Sequence, residues 1–329
     1  MRWLTVTAAA TGRPASEAAG AGEHFCPTAR QEEKVRSSWQ YYLIKFASRL
    51  VSLLPYPWLL ALGRLLGRLY YLVGTRQRER ALAQIKAGLG LDDAAAAKII
   101  RSHFGKLGMN LLEVLYLPAL TPDKFKTIVQ LENRHYLDAA VAEGKGVAVL
   151  TAHVGNWEWL GAGLAMHGYP TASIVKPQPN ELHTRLLNEY RRRAGIEIFT
   201  RGTAEVVAAV KALRQGRVLG FFIDQDAGPG GLFVEFFGKM ASTPTGLAVF
   251  ARKLGCPVLP AFILRRPEGG HRIVAGPPFH LVPGGDEQAD IRDFTVRATN
   301  IVEETIRRHP DEWLWSHKRW NTKWAGEQA

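Results

Sequence analysis

The sequence predicts an α/β protein: a single catalytic domain on a central, mostly parallel sheet flanked by helices, preceded by an apolar helical segment. Three observations carry that expectation. From about residue 92 onward, short apolar runs of strand length alternate with amphipathic stretches of helical period, the pattern of a sheet covered on both faces. The chain has 329 residues, long for one average domain and short for two, and 47% of them are hydrophobic, ample for a large core. In front of the alternating part stands Trp39–Gly74, apolar almost throughout, with aromatics at both ends.

Three regions follow: 1–38, 39–88 and 89–329. Residues 1–38 are rich in Ala, Gly, Ser, Thr and charge and lack a periodic apolar face, so they read as a disordered tail or an over-extended start. Met1–Ala10 faintly resembles a signal peptide, but threonines interrupt its apolar stretch and its basic region is Arg2 alone. In 39–88, Pro55 and Pro57 break the apolar run, and Arg64 and Arg68 share one helical face. A spanning helix needs roughly 20 consecutive apolar residues, and an Arg at mid-membrane depth costs at least about 2.5 kcal/mol. Two helices lying in or dipping into a membrane interface, joined at Pro55-Tyr56-Pro57, fit better than one span; a buried helical hairpin of a soluble core is the alternative. Arg76, Arg78, Arg80 and Lys86 follow at once, the cytoplasmic-side pattern of an anchor.

In the catalytic region, Asp92–Tyr116 and Asn133–Glu143 read as helices, Gly146–Thr151 as a strand, and a helix starts near Gly155. Strands are expected at Ala172–Val175, Glu197–Thr200, Val218–Ile223, Pro257–Leu264 and Arg272–Val274. Further helices are expected at Glu181–Ala194, Thr203–Gln215, Pro244–Leu254 (capped by Ser242 or Thr243, with Pro244 first) and Ala289–Arg308.

The chain carries 42 Lys+Arg against 30 Asp+Glu, a formal charge of +12, which suits nucleic acid or an anionic membrane and phosphorylated substrates. Nine tryptophans, several beside Arg or Lys, favour the membrane, where amphipathic rings sit at headgroup level. Cys26 and Cys256 form no CxxC or Cys/His cluster, so neither a disulfide framework nor a metal site is expected, and no cofactor is. The absence of a G-x-S-x-G elbow argues against a serine hydrolase, and the lack of a P-loop or G-x-G-x-x-G after a strand leaves nucleotide binding unsupported.

The segment Thr151–Trp159, TAHVGNWEW, carries the chemistry. His153 stands at the carboxyl end of a buried strand, where open α/β sheets place their sites. Glu158, five residues on, would be rotated about 140° from His153 on a continuous helix. The two meet only if His153 lies in a loop and Glu158 in the first helical turn, with Gly155 and Asn156 at the junction. Such a pair makes a general base: the imidazole takes a hydroxyl proton while the carboxylate holds its tautomer. With no Ser or Cys nucleophile beside it, direct attack of a bound hydroxyl on an acyl thioester is the simplest scheme, and backbone N–H groups near Gly155 are candidate oxyanion donors.

A His, four residues, then an acidic residue after an apolar strand resembles the signature of the glycerolipid acyltransferase superfamily. Within it, the chain is similar to the bacterial lipid A late acyltransferases from about Trp39 to Trp324. Ile174–Asn180 resembles that family's loop after a strand, with Lys176 where an Arg is usual. Arg191 matches a functional arginine, Phe222–Gly228 an Asp-x-Asp motif, Phe236–Gly246 the loop after it, and Pro310–Trp320 a C-terminal tryptophan-and-basic segment. The resemblance implies a glycerol-3-phosphate acyltransferase-like fold and transfer of a fatty acyl group from an acyl carrier protein thioester to a hydroxyl of a lipid A precursor. It implies His153 and Glu158 as the catalytic residues and Arg191, Asp224, Lys176 and Asn156 as substrate-binding or supporting ones. It further implies an anionic inner-membrane surface as partner, a location on the cytoplasmic face of the inner membrane, and no nucleic-acid partner.

Alternatives stay open residue by residue. Arg191, in a run of three arginines, is a phosphate clamp or a solvated helix end. Asp224 orients Arg191 or contacts substrate, while Asp226 suits turn capping. The Ser242–Gly246 helix start binds phosphate or is an ordinary cap. Phe233, Phe236 and Phe237 line an acyl channel or the core. For the whole chain, the alternatives are acyl transfer to a glycerophospholipid or glycolipid, and a non-catalytic basic protein bound to membrane or nucleic acid.

Overall fold

The computed structural model describes residues 39–175, 181–200 and 203–328, so the 1–38 region, Cys26 and Lys176 lie outside the described residues. Helices α1 (Trp39–Ser52) and α2 (Tyr56–Val73) meet at the expected proline elbow, with Pro55 in extended conformation as the α2 N-cap. Among the described residues no helix is long and apolar enough to cross a membrane. Instead the two helices leave a row of large apolar side chains exposed, including Tyr42, Phe46, Leu50, Leu53, Trp58, Leu65 and Leu69. Arg64 and Arg68 are exposed beside them.

After α3 (Thr75–Leu89), Asp92 caps the 24-residue α4 (Asp93–Tyr116) by accepting a 2.8 Å bond from the Ala95 N–H. α2 and α4 cross with backbones in contact, because glycines line the crossing. A Cβ on Gly67 would stand 2.1 Å from the Phe104 carbonyl oxygen, and one on Gly108 would stand 2.2 Å from that of Gly63. The apolar helices are thereby keyed into the catalytic region.

Beyond α5 (Pro122–Ile128) come β1 (Val129–Glu132), α6 (Arg134–Ala142), β2 (Val147–Thr151), α7 (Trp157–Met166), β3 (Thr171–Val175) and α8 (Glu181–Arg193). Then follow β4 (Glu197–Thr200), α9 (Thr203–Arg214), β5 (Val218–Phe222), β6 (Leu232–Phe236), β7 (Lys239–Thr243) and α10 (Gly246–Leu254). β8 (Val258–Arg265), β9 (His271–Ala275) and α11 (Glu287–Arg308) complete the domain. The seven-stranded sheet has the order β1-β9-β8-β2-β5-β3-β4. The strands from β8 to β4 run the same way, and β9 turns back antiparallel on β8. The mostly parallel sheet flanked by helices is the expected one. β2 is the middle strand and all five of its residues are buried. Its alternating side chains enter two cores: Val147 and Val149 one, Ala148 and Leu150 the other.

Two local expectations are corrected. The helix expected from Pro244 starts at Gly246, and Ser242 and Thr243 are not its caps but buried residues of β7. The β6–β7 hairpin itself was not foreseen. Its two-residue turn, Phe237-Gly238, has φ of 53° and 72°, the handedness that suits a hairpin. A phenylalanine in the left-handed region is costly; here its N–H donates to Glu303 at 2.6 Å and its ring packs on Trp313 and Trp315. Phe236 and Phe237 are therefore core rather than an acyl channel.

A second feature sits where α2, α4, β8 and β9 converge. Glu113, wholly buried, accepts hydrogen bonds from Tyr56 (2.6 Å), Asn156 (2.9 Å) and both terminal nitrogens of Arg265 (2.8 and 2.7 Å), and lies 3.0 Å from His271 Nε2. Burial alone would raise the Glu113 carboxyl, but the charges and hydrogen bonds of His271 and Arg265 outweigh burial and hold it well below the usual range.

The glycine crossing has opposite consequences at two neighbouring positions. Gly67→Ala is expected to destabilise by about 1–3 kcal/mol, the usual cost of overpacking. Gly105→Ala, whose Cβ would meet only the Arg64 side chain at 3.6 Å, should be neutral or stabilise by up to about 1 kcal/mol through helix propensity. Thermal unfolding of both variants in detergent tests this, and equal losses in the two would contradict so close a crossing.

Candidate active site

The parallel register places two loops side by side. Thr151 at the end of β2 pairs with Phe222 at the end of β5, so the residues two beyond each, His153 and Asp224, leave the sheet as neighbours. His153 Nδ1 lies 2.9 Å from Asp224 Oδ1, and the His153 backbone N–H donates to Asp224 Oδ2 at 2.8 Å. The indole N–H of Trp313 donates to the same Oδ2 at 2.8 Å. The Asp224 carboxylate is nearly sealed from solvent, at 2% exposure, against 16% for the His153 side chain. Burial would raise the Asp224 carboxyl; the His153 charge and these donors bring it down instead, to about 2. For His153 burial acts downward, but the charge and hydrogen bond of Asp224, with the charge of Glu158 behind them, hold it above its ordinary value.

The loop that presents His153 is fastened at each residue. Gly155 adopts φ +60°, and a Cβ there would stand 2.0 Å from the Ile263 carbonyl oxygen, so only glycine fits against β8. Val154 forms an antiparallel bridge with Trp313; the Leu314 N–H donates to the His153 carbonyl (3.0 Å), and the Gly155 N–H to that of Glu312 (2.9 Å). Asn110 adds a 2.7 Å bond to the Gly155 carbonyl. The His153 ring rests between Trp157 and Phe222, at centroid distances of 5.1 and 4.7 Å.

The singled-out residues that the structure describes each have a definite place. His153 is in the loop and Glu158 in the first turn of α7, the arrangement the spacing required. The carboxylate on His153 Nδ1, however, is that of Asp224, not of Glu158. Glu158 makes a two-pronged pair with Arg191, whose Nε and Nη2 donate at 2.8 and 2.5 Å, and Arg191 Nη1 donates to Asn188 at 3.0 Å. Most of the Arg191 guanidinium thus braces α8 against α7, and Asp224 orients His153 rather than Arg191. Asn156 caps α7, its Oδ1 accepting from the Trp159 N–H at 3.3 Å while its Nδ2 donates to Glu113. Asp226 ties its loop to the C-terminal segment rather than capping the turn, accepting from the Thr322 N–H and hydroxyl at 3.2 and 2.8 Å. Ser242 donates to the Gly228 carbonyl at 2.6 Å and belongs to the loop scaffold. Of the backbone N–H groups near Gly155, three are committed: His153 to Asp224, Val154 to Ala152 and Gly155 to Glu312.

Sequence reasoning missed the roles of Trp313, Gln225 and Arg319. Trp313 and Arg319 lie in Pro310–Trp320, picked out there only for its tryptophans and basic residues. Arg319 is fully buried and donates to the carbonyls of Gln225 (3.2 Å) and Ser242 (2.5 Å) and to the Thr243 hydroxyl (2.5 Å), with its guanidinium over the Phe236 ring. Burial lowers it to about 10. Gln225 places its side-chain nitrogen 3.1 Å from His153 Nε2, the ring atom that faces away from Asp224. The fold therefore offers an imidazole with one nitrogen held by a buried carboxylate and the other, in contact with the Gln225 amide, turned away from that carboxylate.

Comparison with known proteins identifies the family. Residues 27–322 match the family described as bacterial lipid A biosynthesis acyltransferase. The chain is 27% identical over 288 residues to the lipid A biosynthesis lauroyltransferase of Escherichia coli K12, an alignment covering 84% of this chain and 90% of that protein. It is 26% identical over 280 residues to the lipid A biosynthesis palmitoleoyltransferase of the same organism, covering 84% and 89%. It is also 26% identical over 255 residues to a phosphatidylinositol mannoside acyltransferase of Mycobacterium tuberculosis, covering 75% and 77%. With a family match across nearly all of the described structure and a buried His–Asp pair at its sheet edge, the chain belongs to the bacterial lipid A biosynthesis acyltransferases.

Proposed function

We propose that the protein transfers a fatty acyl group from an acyl carrier protein thioester to a hydroxyl of a lipid A precursor, with His153 as general base, on the cytoplasmic face of the inner membrane. The observation that carries the mechanism is the His153–Asp224 pair. The acceptor hydroxyl gives its proton to His153 Nε2 as its oxygen attacks the thioester carbonyl, and Asp224 stabilises the imidazolium that forms. The imidazolium then protonates the departing thiolate. Glu158 contributes through Arg191, keeping α7 and α8 in place beneath the site, while the remaining N–H groups of Arg191 are available to a phosphate of the acceptor. The named relatives also support a second acceptor class, a phosphorylated glycolipid such as an acylated mannoside. The exposed apolar face of α1 and α2, flanked by Arg64 and Arg68, supports interfacial docking: each arginine near an anionic surface adds about 1 kcal/mol.

Transfer is tested with radiolabelled acyl carrier protein thioesters and detergent-solubilised protein, offering a tetra-acylated lipid A precursor, lysophosphatidic acid and a phosphatidylinositol mannoside in parallel. Transfer to the lipid A precursor is expected, and His153→Ala should lower it at least about 100-fold, the smaller end of a general base's contribution. Transfer only to another acceptor would overturn the lipid A assignment.

The reaction needs neutral His153. Because its folded-state value is raised, kcat should climb with pH through that raised value and level off above it. Asp224→Asn removes the charge that outweighs burial, so the acid limb should move to lower pH while the plateau falls on the order of 10²- to 10⁴-fold. A limb that stays where it was in the pH profile of kcat would remove Asp224 from this role.

The membrane reading is checked with vesicles containing anionic lipid. Trp58→Ser, Leu65→Ser and Leu69→Ser combined should weaken binding well over tenfold, since each large apolar side chain buried contributes about 1.5–3 kcal/mol. Circular dichroism should stay unchanged, and undiminished vesicle binding would rule this face out.

A further inference from the structure

Gln225 lies between the two acidic residues of the Asp-x-Asp motif, yet its side chain, not theirs, reaches the reactive nitrogen of His153. Its amide orientation follows from elementary chemistry. Asp224 accepts the Nδ1 proton of the neutral imidazole, so Nε2 carries a lone pair, and only the NH₂ of Gln225 can face it as donor. That NH₂ stands where an acceptor hydroxyl must stand to lose its proton. The backbone N–H groups of residues 153, 154 and 155 are committed to Asp224, Ala152 and Glu312 and offer no substitute as oxyanion donors. Arg191 is engaged by Glu158 and Asn188. The Gln225 main chain, in contrast, is anchored: its carbonyl is bonded by buried Arg319, and its neighbours Asp224 and Asp226 are each tied to distant residues.

We propose that Gln225 is a further catalytic residue, its side-chain amide occupying the acceptor-hydroxyl position in the free enzyme and donating to the oxyanion during transfer. This rests on His153 being the general base. When the acceptor hydroxyl takes Nε2, the amide is displaced from the nitrogen but stays beside it on its fixed backbone. The hydroxyl proton passes to Nε2 and the oxygen–carbon bond forms. The carbonyl π electrons move to oxygen, where the Gln225 N–H meets the developing negative charge. Collapse of that intermediate reforms the carbonyl and breaks the carbon–sulfur bond, and the imidazolium returns its proton to the thiolate. A donor aimed at developing charge lowers the barrier without tightening substrate binding.

The test uses the full chain in detergent with the acyl donors and acceptors above. Gln225→Glu keeps the side-chain shape but replaces the donor with acceptors; Gln225→Ala removes it. Both are expected to lower kcat about 10²- to 10³-fold, with KM for donor and acceptor and the thermal midpoint little changed. Wild-type kcat in either variant would overturn the proposal, and so would a loss confined to KM or accompanied by a lowered thermal midpoint. A readout independent of turnover is the ¹⁵N shift of His153 Nε2 in histidine-labelled protein. It should move in Gln225→Ala without substrate, and an unmoved shift would remove the contact. Should wild-type protein transfer to no acceptor, the proposed function fails, while the nitrogen shift still decides the Gln225 contact.

Discussion

A carboxylate almost sealed from water must be surrounded by donors or lose its charge. Asp224 meets that demand with groups from distant parts of the chain: the His153 ring and backbone N–H from the loop after β2, and the Trp313 indole from the C-terminal segment. Much of the local architecture follows from this. For Trp313 to reach Asp224, residues 312–314 must lie along residues 153–155, and the bonds between those two stretches fix the loop carrying His153. The same C-terminal segment then delivers Arg319 to the main chain of the 224–226 loop. The tryptophan-and-basic segment thus closes the site from behind.

The other buried carboxylate, Glu113, organises the opposite end of the motif. It binds Asn156, the cap of α7, and at the same time Tyr56 of the proline elbow and Arg265 of β8. Removing Arg265 from this cluster would take the counter-charge away from a buried carboxylate, a strongly destabilising loss. Three successive features of the 153–158 segment are therefore each held by a remote group: His153 by Asp224, Asn156 by Glu113, Glu158 by Arg191. The elbow between the apolar helices shares a hydrogen-bond cluster with the cap of the helix that carries Glu158. Those helices are joined to the site through polar bonds as well as through the glycine crossing of α2 and α4.

Much of this was legible beforehand. The central strand was visible as an unbroken apolar run, the elbow as two prolines in an apolar stretch, and α4 as a helix expected from Asp92 to Tyr116. The loop-then-helix placement of His153 and Glu158 followed from 100° per residue alone. The misreadings share a cause. Ser242 and Thr243 ahead of Pro244 look like helix caps, yet pairing with Leu232–Phe236 draws them into a strand. Glu158 is the acidic residue nearest His153 along the chain, yet Asp224 is the one presented to it.

The sequence by itself determined the order and kind of most elements, the position of His153 at a strand end, and the apolar helices that precede the sheet. These depend on local periodicity, on prolines and on capping residues, all contained within a few turns of chain. Only the tertiary structure decided which carboxylate faces His153, that Arg191 is matched by Glu158, and that glycines bring α2 and α4 into backbone contact. Those outcomes depend on the register of β2 with β5 and on pairings between segments far apart in the chain. No local spacing encodes them, because parallel neighbours are joined by long crossovers whose length leaves the register free until the sheet and its covering helices pack.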